Sequence, residues 1–167
     1  MPDSFRMRLL PVFGLLVAGH LLISPPLAHA QLAEGENKWA LLDITAAINI
    51  ALGENKDGSE LREKVVRRFA ECSLMYGGLS TLASSADAKK NYVQAQLATM
   101  EIESRISGPL QPEKRLVLEE AARSSVAIML RSVKAQGDKA VSPLLKSCKS
   151  FNDVREVNNA LQEISRQ

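Results

Sequence analysis

Along residues 60–83 the apolar positions Leu61, Val65, Phe69, Cys72, Tyr76, Leu79 and Ala83 recur in steps of four, four, three, four, three and four. Steps of three and four keep side chains on one face of a helix. The same periodicity returns downstream. Ala88, Tyr92, Ala95, Thr99, Ile102 and Ile106 form one stripe, widened by Val93, Leu97 and Met100. Leu118, Ala121, Ala122, Ser125, Met129 and Val133 form another between Pro112 and Gln136, and Val154, Val157, Leu161 and Ile164 a short last one. Residues 38–52 are different, because after Lys38 only Asp43, Thr45 and Asn49 interrupt the apolar run. A helix apolar nearly all round is buried on several sides. It is expected to be the central helix, with Trp39 as a packing anchor. The alternative is a helix that meets another molecule through Trp39, Leu42 and Ile48.

The punctuation agrees with helices. Asp57-Gly58 is a turn, and Asp57 with Glu60 fits a capping box for the helix that follows. Ser84-Ser85 supplies N-cap residues, Gly108-Pro109 ends the next helix, and Pro112 sits where a first-turn proline belongs. Gly137 is a C-cap, Pro143 opens a short helix, a turn falls near Phe151, and Asp153 with Glu156 fits a second capping box. Sustained strand-like alternation and a 20–50-residue repeat are both missing. The expected fold is all-α, a small bundle of about five helices.

Gly77-Gly78 stands inside the 60–83 stripe, and two glycines within a helix cost roughly 2 kcal/mol relative to alanine. Three explanations compete: a break in the helix, the close crossing of another helix over bare backbone, or one wall of a ligand groove formed by Tyr76, Gly77, Gly78 and Tyr92. The break is the leading expectation.

Residues 1–30 combine a short basic segment, an apolar run of 15 residues and a proline-broken stretch ending Ala28-His29-Ala30. That is the layout of a secretory signal peptide, with cleavage expected after Ala30 and a destination in the periplasm or outside the cell. The run is shorter than the roughly 18–20 residues that span a bilayer, so no stable membrane span is expected after cleavage. Residues 31–37 read as a flexible lead, and 38–167 as a single helical domain. Beyond residue 30 the chain carries 19 Lys and Arg against 18 Asp and Glu, a net +1, with both signs interleaved. Such a balance leaves no electrostatic footprint for nucleic acid.

Both histidines, His20 and His29, fall in the leader. Residues 31–167 therefore lack the side chain on which Ser-His-Asp and Cys-His nucleophiles, haem ligation and most zinc sites depend. No catalytic residue, metal or cofactor is expected. Asn55, Asp57 and Gly58 touch the pattern of a calcium loop, but Gly53 and Lys64 stand where its first and last carboxylates must be. Cys72 and Cys148 remain, and in an exported chain they are expected to form a structural disulfide; closing a loop of 76 positions restricts the unfolded chain by roughly 4 kcal/mol. The bridge should tie the 60–83 helix to the C-terminal region.

The densest carboxylates, Glu101 with Glu103 and Glu119 with Glu120, are expected to pair with basic residues on outward faces, as are Glu60 with Lys64 and Glu63 with Arg67. Asp43, a lone acid in an apolar helix, is expected to reach solvent or to be a satisfied buried polar group, with a functional carboxylate as the alternative. The functional expectation is a non-catalytic, exported protein-interaction module that binds a protein partner or itself. A small helical protein holding an apolar ligand is the alternative. A carboxylate-only enzyme comes third and requires two of these acids to converge in a cleft.

Overall fold

The computed structural model describes residues 34–167, and side chains from Ala40 onward except those of Lys134 and Asp138. The leader expected over 1–30 and the side chain of Trp39 lie outside the described residues. Six α-helices account for most of the described chain: α1 (Glu34–Glu54), α2 (Gly58–Leu82), α3 (Ala86–Ser107), α4 (Pro112–Gln136), α5 (Ser142–Ser150) and α6 (Val154–Ser165). A 3₁₀ turn, Gly137–Ala140, joins α4 to α5. The fold is an all-α bundle, as the periodicity predicts.

Local chemistry sets most boundaries. Ser85 accepts from the Ala88 amide at 3.1 Å and caps α3, and Pro112 occupies the first turn of α4. Asp153 accepts from the Arg155 amide at 2.9 Å and caps α6, while the Arg155 guanidinium, hydrogen-bonded to it, holds its carboxyl below the usual range. The expected capping box at Asp57 does not form. Asp57 has φ −101° and ψ 31°, away from the extended geometry of an N-cap, and its side chain makes no capping bond. Asn55 closes this turn instead, its Oδ1 accepting from the Asp57 amide at 2.9 Å. A Cβ at Gly58 would stand 2.2 Å from the Leu52 carbonyl oxygen, so the turn needs glycine there.

The central helix is α2, which packs against every other α-helix; the expectation that residues 38–52 are central is overturned. α1 buries one stripe, Ile44, Ile48 and Leu52, and leaves Asp43, Ala46 and Ile50 exposed. α3 runs antiparallel to α2. Arg62 near the start of α2 donates to the carbonyl of Ile106 near the end of α3 at 2.8 Å, while Gly77 meets Gln96 further back. α4 runs parallel to α2, since Glu63 pairs with Lys114 and Gly78 meets Leu130.

The core has two parts arranged along α2. Ile44, Ile48, Val65, Phe69, Ile106 and Leu161 belong to the first, contributed by α1, the first half of α2, the end of α3 and α6. Cys72, Met75, Tyr76, Val126, Val141 and Leu144 belong to the second, where α4 and α5 replace α1 and α6. Phe151 follows α5 in the turn anticipated there, yet is only 2 % exposed and sets its ring 4.5 Å from that of Phe69. It fastens the turn to the first part of the core.

Cys72 on α2 and Cys148 on α5 lie at disulfide-bonding distance, with Cα atoms 5.7 Å apart. The link ties α2 to the C-terminal region as expected. Glu71, beside Cys72, is buried and held by Arg67 at 3.2 Å and Arg68 at 3.4 Å. The expected Glu63–Arg67 pair is therefore replaced: Arg67 turns to Glu71, and Glu63 reaches across to Lys114 on α4. Arg68 also donates to the Gln167 side chain at 2.5 Å, fixing the chain end against α2.

Candidate functional site

The glycine pair does not break α2, which is continuous from Gly58 to Leu82. Helices cross it closely on two sides. A Cβ at Gly77 would approach the Gln96 amide nitrogen to 2.8 Å, and one at Gly78 would approach Leu130 Cδ1 to 2.3 Å. Two glycines let α3 and α4 settle onto the backbone here, which is the second of the three explanations. The expected ligand groove beside Tyr76 is occupied by these side chains. Tyr76 is 4 % exposed and belongs to the core, and burial followed by the neighbouring Tyr92 pushes its hydroxyl up to about 12. Tyr92 is half-buried, its ring stacked 6.4 Å from that of Tyr76.

Of the residues expected to meet a partner on α1, Ile48 is fully buried in the core and is corrected as an interface residue; Leu42 is half-buried. Ile48 falls on the α1 face that packs against α2, α3 and α6, so a partner meets none of it.

Cavity space lies further down the same side of α2. α3 and α4 both pack on α2 and hardly on each other, leaving a cleft of about 290 Å³ between them. Its floor is Ala70, Ser73 and Leu74 of α2. One wall is α3, with Met100 and Glu103, and the other is α4, where Arg115, Glu119 and Arg123 recur every four residues. Gln96 over Gly77 and Leu130 over Gly78 lie beyond one end, and the turn joining α3 to α4 lies toward the other.

Glu103 and Glu119 thus share one cleft, correcting the expectation that all of these acids point outward in ion pairs. Glu103 is pushed up to about 7, first by burial and then by the like charge of Glu119, with Arg115 opposing. Among the described residues, Glu103, Glu119 and Arg115 make no ion pair within 4 Å. Apart from Glu63, whose partner is Lys114, the other acids behave as expected. Glu101 binds Arg105 at 2.6 Å, Glu120 binds Arg123 at 3.4 Å, Glu60 binds Lys64 at 3.6 Å, and Asp43 is exposed.

Among the described residues no group of three or more His, Cys, Asp or Glu is arranged to hold a metal ion, and no helix is long and apolar enough to cross a membrane. Comparison with known proteins finds no matching family model, no matching curated protein and no matching solved structure.

A second feature lies on the outer side of α3. Val93, Leu97 and Met100, spaced by four and three, are 37 %, 60 % and 48 % exposed. Lys89 and Lys90, one turn before Val93, are exposed, and neither enters an ion pair within 4 Å among the described residues. Periodicity places all three in the widened apolar stripe of this helix; in the fold the Thr99, Ile102 and Ile106 side is the one that is buried.

Proposed function

We propose that the protein is an exported, non-catalytic protein-interaction module that receives its partner on the outer face of α3. One observation carries this reading: the exposed row of Val93, Leu97 and Met100, which the protein's own core leaves uncovered. Single exposed apolar residues are ordinary, whereas a row at helical spacing makes a surface complementary to another helix. Lys89 and Lys90 extend that row with uncompensated positive charge. The partner is therefore an amphipathic helix of another protein, apolar along one side and acidic at the end facing the lysines. Export is supported by the signal-like leader in the sequence and by a cysteine pair at bonding distance, which suits an oxidising compartment. The non-catalytic reading is supported by the lack of histidine after residue 30, which removes the histidine-dependent mechanisms; the carboxylate-only alternative keeps its one requirement, since Glu103 and Glu119 share a cleft.

The test is affinity capture from the exported fraction with the wild type, Leu97→Asp, a Lys89→Glu/Lys90→Glu double variant and Ile50→Asp. Leu97 and Ile50 are both exposed, so neither substitution disturbs the core. One partner should be held by the wild type and by Ile50→Asp, lost with Leu97→Asp, and weakened by the lysine reversal and by added salt. A wild type that stays monomeric without a partner, or a partner held equally by Leu97→Asp, overturns the reading.

A further inference from the structure

The cleft between α3 and α4 adjoins the proposed partner surface and shares Met100 with it, while its charged groups, Glu103, Arg115, Glu119 and Arg123, lie outside that surface. Its volume, about 290 Å³, is just below the range in which pockets hold drug-sized ligands, roughly 300–1,000 Å³, so its occupant is small. Its chemistry is mixed in a particular way. Leu74 and Met100 provide apolar surface, Glu103 and Glu119 provide two carboxyls from opposite walls, and Arg115 and Arg123 provide guanidinium groups. A plain apolar ligand would leave Glu103, Glu119 and Arg115 facing it without an ion-pair partner, which is unfavourable in a partly desolvated site. A simple cation would satisfy the acids and be opposed by the arginines. An anion would meet the reverse problem.

We propose that the cleft binds a small apolar α-amino acid as its zwitterion, with the ammonium between Glu103 and Glu119, the carboxylate on Arg115 and the side chain against Leu74 and Met100. Each part of the ligand answers a part of the cleft. An ammonium supplies donors to two carboxyls that have no ion-pair partner within 4 Å. A guanidinium matches a carboxylate in a planar, two-pronged fashion that lysine cannot reproduce. Arg123, already paired with Glu120 at 3.4 Å, stands at the rim and adds a general attraction for the carboxylate. Ionised Glu103 is the form that holds an ammonium, so binding near neutral pH expels a proton from it. The charged groups lining the cleft are Glu103 from α3 and Arg115, Glu119 and Arg123 from α4; α2 contributes Ala70, Ser73 and Leu74, all uncharged.

The experiment is titration of the intact, disulfide-bonded protein with L-leucine, L-methionine and L-valine, followed by amide chemical shifts and by calorimetry. N-acetyl-L-leucine, which lacks the ammonium, and L-leucinamide, which lacks the carboxylate, are the controls. Saturable shifts should map to α2, α3 and α4 around Leu74, Glu103 and Glu119, with both controls at least tenfold weaker, equivalent to about 1.4 kcal/mol. Glu119→Gln and Arg115→Gln should each weaken binding at least tenfold while circular dichroism and melting show the folded bundle. Failure of all three amino acids to saturate at about 10 mM, weaker than almost any dedicated site, overturns the proposal. So does equal binding of either control, or binding unchanged in both variants. Leu97→Asp, which tests the partner surface, should leave amino-acid binding within twofold, so the two readings fail separately.

Discussion

Replacing Glu103 by glutamine should stabilise the ligand-free protein at alkaline pH and leave it nearly unchanged in acid. In the folded protein this carboxyl is raised from an ordinary value of 4.5 to about 7, because burial and Glu119 both disfavour its charge. The folded state therefore holds the proton more tightly than the unfolded chain, and the contribution of this group is fully present below about pH 4.5. That contribution disappears as pH rises through about 7. At 1.36 kcal/mol per pKa unit, and allowing for the open side of the cleft, the loss is about 1–3 kcal/mol. Glutamine keeps the shape and a hydrogen-bonding head but cannot ionise, so Glu103→Gln escapes the loss. Urea denaturation followed by circular dichroism at about pH 4 and about pH 8, with amino acids absent, reads the difference directly, because every other titrating group is common to both proteins. The variant should gain about 1–3 kcal/mol on the wild type at the higher pH and less than about 0.5 at the lower. A difference independent of pH, or a variant weaker than the wild type at about pH 8, would refute the assignment of Glu103 to a desolvated, acid-facing position.

Two further substitutions probe the packing. Gly77→Ala should be neutral or gain up to about 1 kcal/mol in a thermal melt, since alanine favours the helix and only the flexible end of Gln96 must swing aside. Gly78→Ala should instead lose up to about 2 kcal/mol: Leu130 Cδ1 at 2.3 Å and Cγ at 3.2 Å force its branched end to move, an overpacking cost of about 1–3 kcal/mol against a helix gain of about 1. The reverse order would mean that α4 does not sit on α2 as described. Phe151→Ala should cost about 3–5 kcal/mol in chemical denaturation, because the ring is buried against Phe69 although it belongs to a turn; a cost under about 1 would place the ring in solvent.

The helices were legible because their signals are local. The 60–83 stripe, Ser85, Pro112, Gly137 and Asp153 each act within a turn or two of chain, and each falls where its chemistry requires. Local signals do not reach the features that distant elements decide. Residues 38–52 are more apolar in composition than α2, but centrality is a question of how many helices share a neighbour, and the less hydrophobic α2 has them all. Phe151 reads as punctuation until Phe69 is placed opposite it. Glu63 and Arg67 fit an i,i+4 pair, yet Lys114 and Glu71 offer each a better partner across space or along the helix.

The cleft and the glycine pair have one cause, and the sequence carried part of it. Ala70, Ser73 and Gly77 are small residues spaced by three and four, so they line a single face of α2. Where the small residue of this row is Gly77, α3 closes onto the backbone through Gln96, and at the adjoining Gly78 α4 closes through Leu130. Where it is alanine or serine, the two flanking helices stand apart and a void remains above a shallow floor. A row of small residues thus announces closeness or space, and only the side chains from the other helices decide which. Here those chains are Glu103 and Glu119, which could not lie against each other as two bare charges without cost. The separation of α3 from α4 is consistent with that repulsion, and it leaves between the acids the room an ammonium would take.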